Sequence, residues 1–279
     1  MLSPPELPSS DGRTPPAPWV EPWHKPIFIP FLAVSLTLLA LVGLRIKLDA
    51  GWRWIEGLWI CLAAGTSLLA LGKRLPLQNV LMTVVLITSI SGGILLVGAA
   101  AGVPFGPLVY SEALGERIFQ LLPWPMPLLW VVVLINGRGV ARLIMRPWRK
   151  TNLYGFWVIG LTCLLAVVFD LGLEPFAASV QHWWIWQPTR SRWLWYGAPW
   201  VNSLGWLVAA LAILVFTTPW LINKQPVKRP MDYHPLIVWA LMNLILAAGN
   251  AAHALWPPVW LSLIGNTAAT LFAIRGARW

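Results

Sequence analysis

Apolar residues run along this chain in eight long stretches, near 27–44, 54–71, 77–101, 124–144, 154–172, 199–222, 235–254 and 256–274, separated by short polar segments. Each has, or nearly has, the roughly 20 residues a helix needs to cross a hydrocarbon core. Arg138 and Arg142 interrupt the fourth stretch, and Pro257 and Pro258 stand at the start of the eighth. Because most connections are short, the pattern predicts an all-α fold. It is a polytopic transmembrane helical bundle of about eight spans, forming one domain over 27–279. Residues 1–26 precede any apolar run, and the first 30 residues hold nine prolines. That segment reads as a disordered Pro-rich cytoplasmic tail, and no signal peptide is visible in it.

Composition agrees: 58% of residues are hydrophobic and 11% charged, the balance of an integral membrane protein. The net charge of +10 would raise nucleic acid as a partner in a soluble chain. Here the cations lie between spans, so the positive-inside rule accounts for them. With eight spans, 14 Lys and Arg fall on one side and 6 on the other. The excess predicts that both termini are cytoplasmic and that the protein sits in the cell membrane. Cys61 and Cys163 lie inside spans and suggest no disulfide framework. The four histidines lack metal-ligand spacing, and no nucleotide loop or dinucleotide fingerprint is present. Neither a metal nor a cofactor is expected, nor is nucleic acid.

The same topology gathers Asp49, Glu56, Glu112, Glu116, Asp170 and Glu174 on the non-cytoplasmic side, out of only 10 acids in the chain. Asp170 closes the apolar run 157–169, Glu174 follows one helical turn later, and Pro175 comes next. Then come Trp183, Trp184, Trp186, Trp193, Trp195, Trp200 and Trp206. An acid at a bilayer boundary is costly and marks a candidate functional site. The plainer alternative is a helix end beside an interfacial tryptophan belt. The residue before a proline is biased away from helical geometry. Glu174 is therefore free to leave the helix bearing Asp170, or to cap a short helix starting at Pro175, and the sequence does not put the two acids on one face.

Two further segments are rich in chain breakers. Residues 102–110 suit either a re-entrant turn buried in protein or an ordinary loop. Gly98 and Gly102 read as a helix-packing pair. The run from Tyr196 to Trp206 opens the sixth span, with Asn202 in its first turn. An amide there ordinarily bonds backbone or a neighbouring helix. Asn136, Asn243, Asn250 and Asn266 read as interhelical glue, and His253 as a packed or interfacial side chain.

Two blocks carry a family resemblance. One is Gly98-x3-Gly102-x-Pro104-Phe105-Gly106-x3-Tyr110, with Leu114-Gly115 and the apolar run to Asn136. The other is Asp170-Leu-Gly-Leu-Glu174-Pro175, then Trp186, then Tyr196-Gly-Ala-Pro-x2-Asn202-x2-Gly205-Trp206. In this order, over about the middle half of the chain, they resemble the integral-membrane carotenoid biosynthesis proteins. That family includes γ-carotene hydratases and bisanhydrobacterioruberin hydratases. Three positions depart from the family pattern. Leu95 stands where relatives carry Glu, Glu174 where they carry Asp, and Glu116 where they carry Pro. The resemblance implies addition of water to the terminal alkene of an acyclic carotenoid end, in a lipid bilayer and without a cofactor. It implies Asp170, Glu174 and Glu112 as candidate catalytic acids or water holders. Tyr110, Trp186, Tyr196, Asn202 and Trp206 would form the substrate-binding surface. Binding or transport of a long isoprenoid without catalysis is the alternative reading, and a structural subunit is a third.

Overall fold

The computed structural model of the chain describes residues 20–46, 50–52, 54–222 and 231–279. Eight helices in it are long and apolar enough to cross a membrane: α1 (Glu21–Gly43), α2 (Trp54–Gly72), α3 (Leu77–Ala101), α4 (Met126–Ile144), α5 (Tyr154–Pro175), α6 (Val201–Thr217), α7 (His234–Ala252) and α8 (Trp256–Ala277). All eight expected spans are present, and the chain is a multi-pass helical membrane bundle. Arg138 and Arg142 do not break α4, and Pro257 and Pro258 occupy the opening turn of α8, where a missing N–H costs nothing.

The largest boundary error is at the start. The tail was expected to run to residue 26, but α1 begins at Glu21 and carries Pro26 and Pro30 inside it. A helix in lipid tolerates such prolines when neighbouring groups re-satisfy the freed carbonyls. The rest of the tail, residues 1–19, lies outside the described residues, as does Asp49.

α4 is the central helix. It packs against α2, α3, α5, α7 and α8, and its residues 129–137 are all buried. α1, α3 and α8 are far less enclosed, and their outward leucines, isoleucines and valines form the lipid-facing surface. Asn136 donates to Ser67 Oγ on α2 at 2.7 Å, and Asn250 on α7 donates to the Gly172 carbonyl on α5 at 2.9 Å. Both act as interhelical glue, as expected. Asn243 instead bonds Trp239 within its own helix.

Six short strands occupy the loops at one end: β1 (Leu108–Tyr110), β2 (Arg117–Ile118), β3 (Leu122–Pro123), β4 (Trp184–Trp186), β5 (Leu194–Trp195) and β6 (Ala198–Pro199). The antiparallel pair β1·β4 joins the α3–α4 loop to the α5–α6 loop, with Leu108 opposite Trp186 and Tyr110 opposite Trp184. Side chains alternate along a strand. Leu108 and Tyr110 are buried while Val109 and Ile185 are exposed.

The breaker-rich segment 102–110 has a packing role. Gly102 ends α3 with φ +71°, in the left-handed region that glycine adopts without penalty. The Phe105 ring then fits between two helices. A Cβ at Gly98 on α3 would stand 2.9 Å from it, and one at Gly205 on α6 would stand 2.8 Å from it. Gly98 thus receives a ring from the following loop and is not half of a helix-packing pair with Gly102. Gly205→Val should destabilise the protein by about 1–3 kcal/mol through overpacking, read as a lowered unfolding temperature in detergent.

Candidate active site

Asp170 and Glu174 stand four residues apart on α5 and therefore share a face. Glu174 does not leave the helix. The helix runs through Pro175 and widens into a π turn over Phe176–Val180. The proline forfeits the N–H that would reach the Leu171 carbonyl. The Phe176 N–H bonds to Leu173, which frees the Gly172 carbonyl as well. Side chains replace both bonds: Trp195 Nε1 donates to Leu171 O at 3.0 Å, and Asn250 donates to Gly172 O. Without those replacements two buried carbonyls would be orphaned, and the helix would have ended at Glu174, as the proline suggested.

Both carboxyls are 1% exposed. Asn202, in the first turn of α6, bridges them. Its Nδ2 lies 3.0 and 3.3 Å from the two Asp170 oxygens and 3.3 Å from Glu174 Oε2. Glu174 Oε1 accepts Trp184 Nε1 at 2.8 Å and also Trp186 Nε1. Ser203 and Trp206 turn polar atoms toward Asp170. All these donors are neutral. Among the described residues no Lys or Arg pairs with either acid.

Aromatic faces close over the pair. Tyr110 meets Trp184 edge to face at 6.0 Å, and Trp206 stacks on Trp130 at 4.4 Å. Burial, and then the nearby Glu174 charge, push the Tyr110 phenol well above its usual range, so it keeps its proton. The tryptophan wall divides in two. Trp183, Trp184 and Trp206 are buried, with Trp186 and Trp195 half-buried, whereas Trp193 and Trp200 are exposed and suit the interfacial belt.

Of the expected site residues, Asp170, Glu174, Asn202, Tyr110, Trp186 and Trp206 come together. Tyr196 stands apart, edge-on to Trp195 with φ +52°. Glu112 is not gathered in. Its side chain is 82% exposed and pairs with Arg117 at 3.1 Å, because the turn that follows β1 carries it outward.

The sequence placed Glu56 among the non-cytoplasmic acids but gave it no role in the site. It lies buried at the start of α2 and accepts Trp183 Nε1. Its signal was the one that marked Asp170, an acid bordering an apolar run. Glu56 also lines a cavity of about 530 Å³ with His253, His182 and Arg45. Trp183 and Trp184, with ring centroids 6.3 Å apart, link Glu56 to Glu174. Among the described residues no three of His, Cys, Asp and Glu gather as a metal-ligand set. His253, exposed at the C-cap of α7, bonds the Gly249 carbonyl one turn back, which fits the interfacial side of the packed-or-interfacial expectation.

A family described as carotenoid biosynthesis protein matches residues 55–268. A bisanhydrobacterioruberin hydratase of Haloarcula japonica is 27% identical over 188 residues, 66% of this chain and 60% of that relative. The chain therefore aligns with less than two thirds of the relative's length. No solved structure matches.

Trp184→Phe keeps the aromatic face and removes one donor to Glu174. Leaving a buried acceptor short should cost about 1–3 kcal/mol, measured as a fall in the thermal midpoint by circular dichroism in detergent.

Proposed function

The chain belongs to the carotenoid biosynthesis protein family, and from that membership we propose that it is a membrane hydratase of acyclic carotenoid ends. One observation carries this reading. Two buried carboxyls share a helical face, are held by neutral donors, and lie under indole and phenol rings.

The substrate's terminal trisubstituted alkene accepts a proton from the carboxyl pair. Its π electrons form the new C–H bond, and the more substituted carbon becomes a tertiary cation. Glu174 receives three N–H donors, and Asp170 faces three donor residues of its own, Asn202, Ser203 and Trp206, so the transferred proton is assigned to the pair as a unit. The indole faces of Trp184, Trp186 and Trp206 stabilise the cation, each by about 2 kcal/mol or more when desolvated. Water then bonds through oxygen to the cationic carbon, and its surplus proton returns to the carboxyl pair. The product is a tertiary alcohol, and the step balances without oxidant or reductant. Asn202 holds the two carboxyls in register. Tyr110, still protonated, stands edge-on to Trp184 beside the pair. Glu112, exposed and paired with Arg117, has no part in this scheme, and Tyr196 shapes the loop above it.

The excess of Lys and Arg at one end of the bundle supports a topology with both termini in the cytoplasm of a cell-membrane protein. A fluorescent protein fused at the C-terminus should therefore mature and fluoresce.

Expression in a host that accumulates lycopene or γ-carotene, with mass spectrometry of the pigments, tests the reaction. A species heavier by one water is expected. Asp170→Asn and Glu174→Gln should each lower it by about 100-fold or more, the scale of general acid–base catalysis, while the protein stays in the membrane. Unchanged pigments beside well-inserted protein would count against hydration of these carotenoids and favour binding without reaction.

A further inference from the structure

At the other end of the bundle, where α2 and α4 finish and α5 and α7 begin, lies a cavity of about 650 Å³. It is far from the carboxyls: Tyr154, in its wall, and Asp170 are 16 residues apart on α5, about 24 Å of helix. Five arginines line it, Arg74, Arg138, Arg142, Arg146 and Arg149 among them, against a single acid, Asp232.

The pattern is built into α4. Arg138 and Arg142 stand one turn apart on α4 and both line the cavity, and Arg146 follows in a 3-10 turn just past the end of the helix and lines it too. Two of these were the charges that interrupted the fourth apolar run. A cation so far inside a span is costly unless something uses it. Gly139 also lines the cavity, and a Cβ there would come within 2.4 Å of Pro235. Its absence lets the start of α7 close against α4 and form one wall.

Among the described residues, the hydrogen-bond partners of Arg138 and Arg146 carry no charge. Asp232 is 3.7 Å from Arg74, and its other oxygen accepts the His234 N–H at 3.0 Å. Among the described residues Arg138 donates to a backbone carbonyl, that of Leu221, at 3.2 Å. Arg146 donates toward Met231 Sδ, a weak acceptor, and among the described residues its Nε is buried without a partner.

We propose that this cavity binds a phosphate-bearing anion. Guanidinium groups offer planar, paired donors that match phosphate oxygens. Basic pockets between transmembrane helices suit anionic headgroups, and the volume is that of a small-molecule site. The phosphate belongs either to a membrane lipid or to a soluble diphosphate. This site is independent of the hydratase reading and stands if that reading fails.

The test uses the full chain purified in dodecyl maltoside. Binding of phosphatidylglycerol is measured by native mass spectrometry, with phosphatidylcholine as the zwitterionic comparison. Binding of inorganic pyrophosphate is measured by calorimetry against sodium chloride of equal ionic strength. Selective binding of the lipid alone identifies a headgroup site, and selective binding of pyrophosphate identifies a soluble ligand. Either supports the proposal.

The variant Arg142→Gln with Arg149→Gln should weaken the selective ligand by about tenfold or more, the loss expected for charged hydrogen bonds. The charge-matched control, Lys25→Gln with Arg278→Gln, removes two exposed cations outside the lining and should leave affinity unchanged. Arg142→Lys keeps the charge without the fork and should also bind more weakly, which guards against a misfolded double variant. No selectivity for either anion, or equal weakening in the control, would overturn the proposal. The arginines would then serve only to orient the chain in the membrane.

Discussion

Two carboxyl groups one helical turn apart in a buried setting create a demand for hydrogen-bond donors that the surrounding architecture meets. A bilayer interior supplies no water to do so. The donors must therefore come from the chain, and they come from distant parts of it. Asn202 arrives with the first turn of α6, and Trp184 and Trp186 arrive on a strand whose register is held by the α3–α4 loop. That loop is held in turn by Phe105 in its slot between Gly98 and Gly205. The glycines, the strand pair and the amide read as separate features in sequence. In the folded chain they are successive supports of one polar cluster.

The bundle was legible because hydropathy reports the solvent directly. Eight apolar runs of spanning length have few other folded solutions. The acids were legible for the complementary reason, since charge is scarce where transfer from water is expensive. Pairing across loops was not legible. Nothing local in the Trp183–Trp186 run says which indole N–H faces an acid, because that depends on β1, more than seventy residues earlier. Glu112 shows the same limit: it lies two residues after Tyr110, yet the turn sends it outward to Arg117. Pro175 misled through a sound local rule. Its helix-breaking tendency was overcome by Trp195 and Asn250, which occupy the freed carbonyls.

The two ends of the molecule differ in kind. At one end, acids are held by neutral donors beneath aromatic rings. At the other, cations outnumber acids around an open cavity. α5 links them, with Tyr154 at the basic end and Glu174 at the acidic end, and α4 carries two of the arginines, Arg138 and Arg142. The helices thus keep oppositely charged groups about a membrane's thickness apart, so neither cluster can satisfy the other.

The alternation of β4 bears on which insertions and deletions this protein can survive. Trp184 and Trp186 face inward and Ile185 outward because they sit at odd and even steps from a fixed point, the Trp183 N–H bound to the Ala177 carbonyl at 2.7 Å. Gaining or losing one residue just after that anchor would exchange the faces, setting an isoleucine over Glu174 and turning two indoles toward lipid or water. A change of two would restore them. Loop length at this position is thus subject to a parity rule, whereas the exposed stretch around Thr189 to Arg192, which pairs with no strand, carries no such rule and is the natural place for lineages to diverge in length.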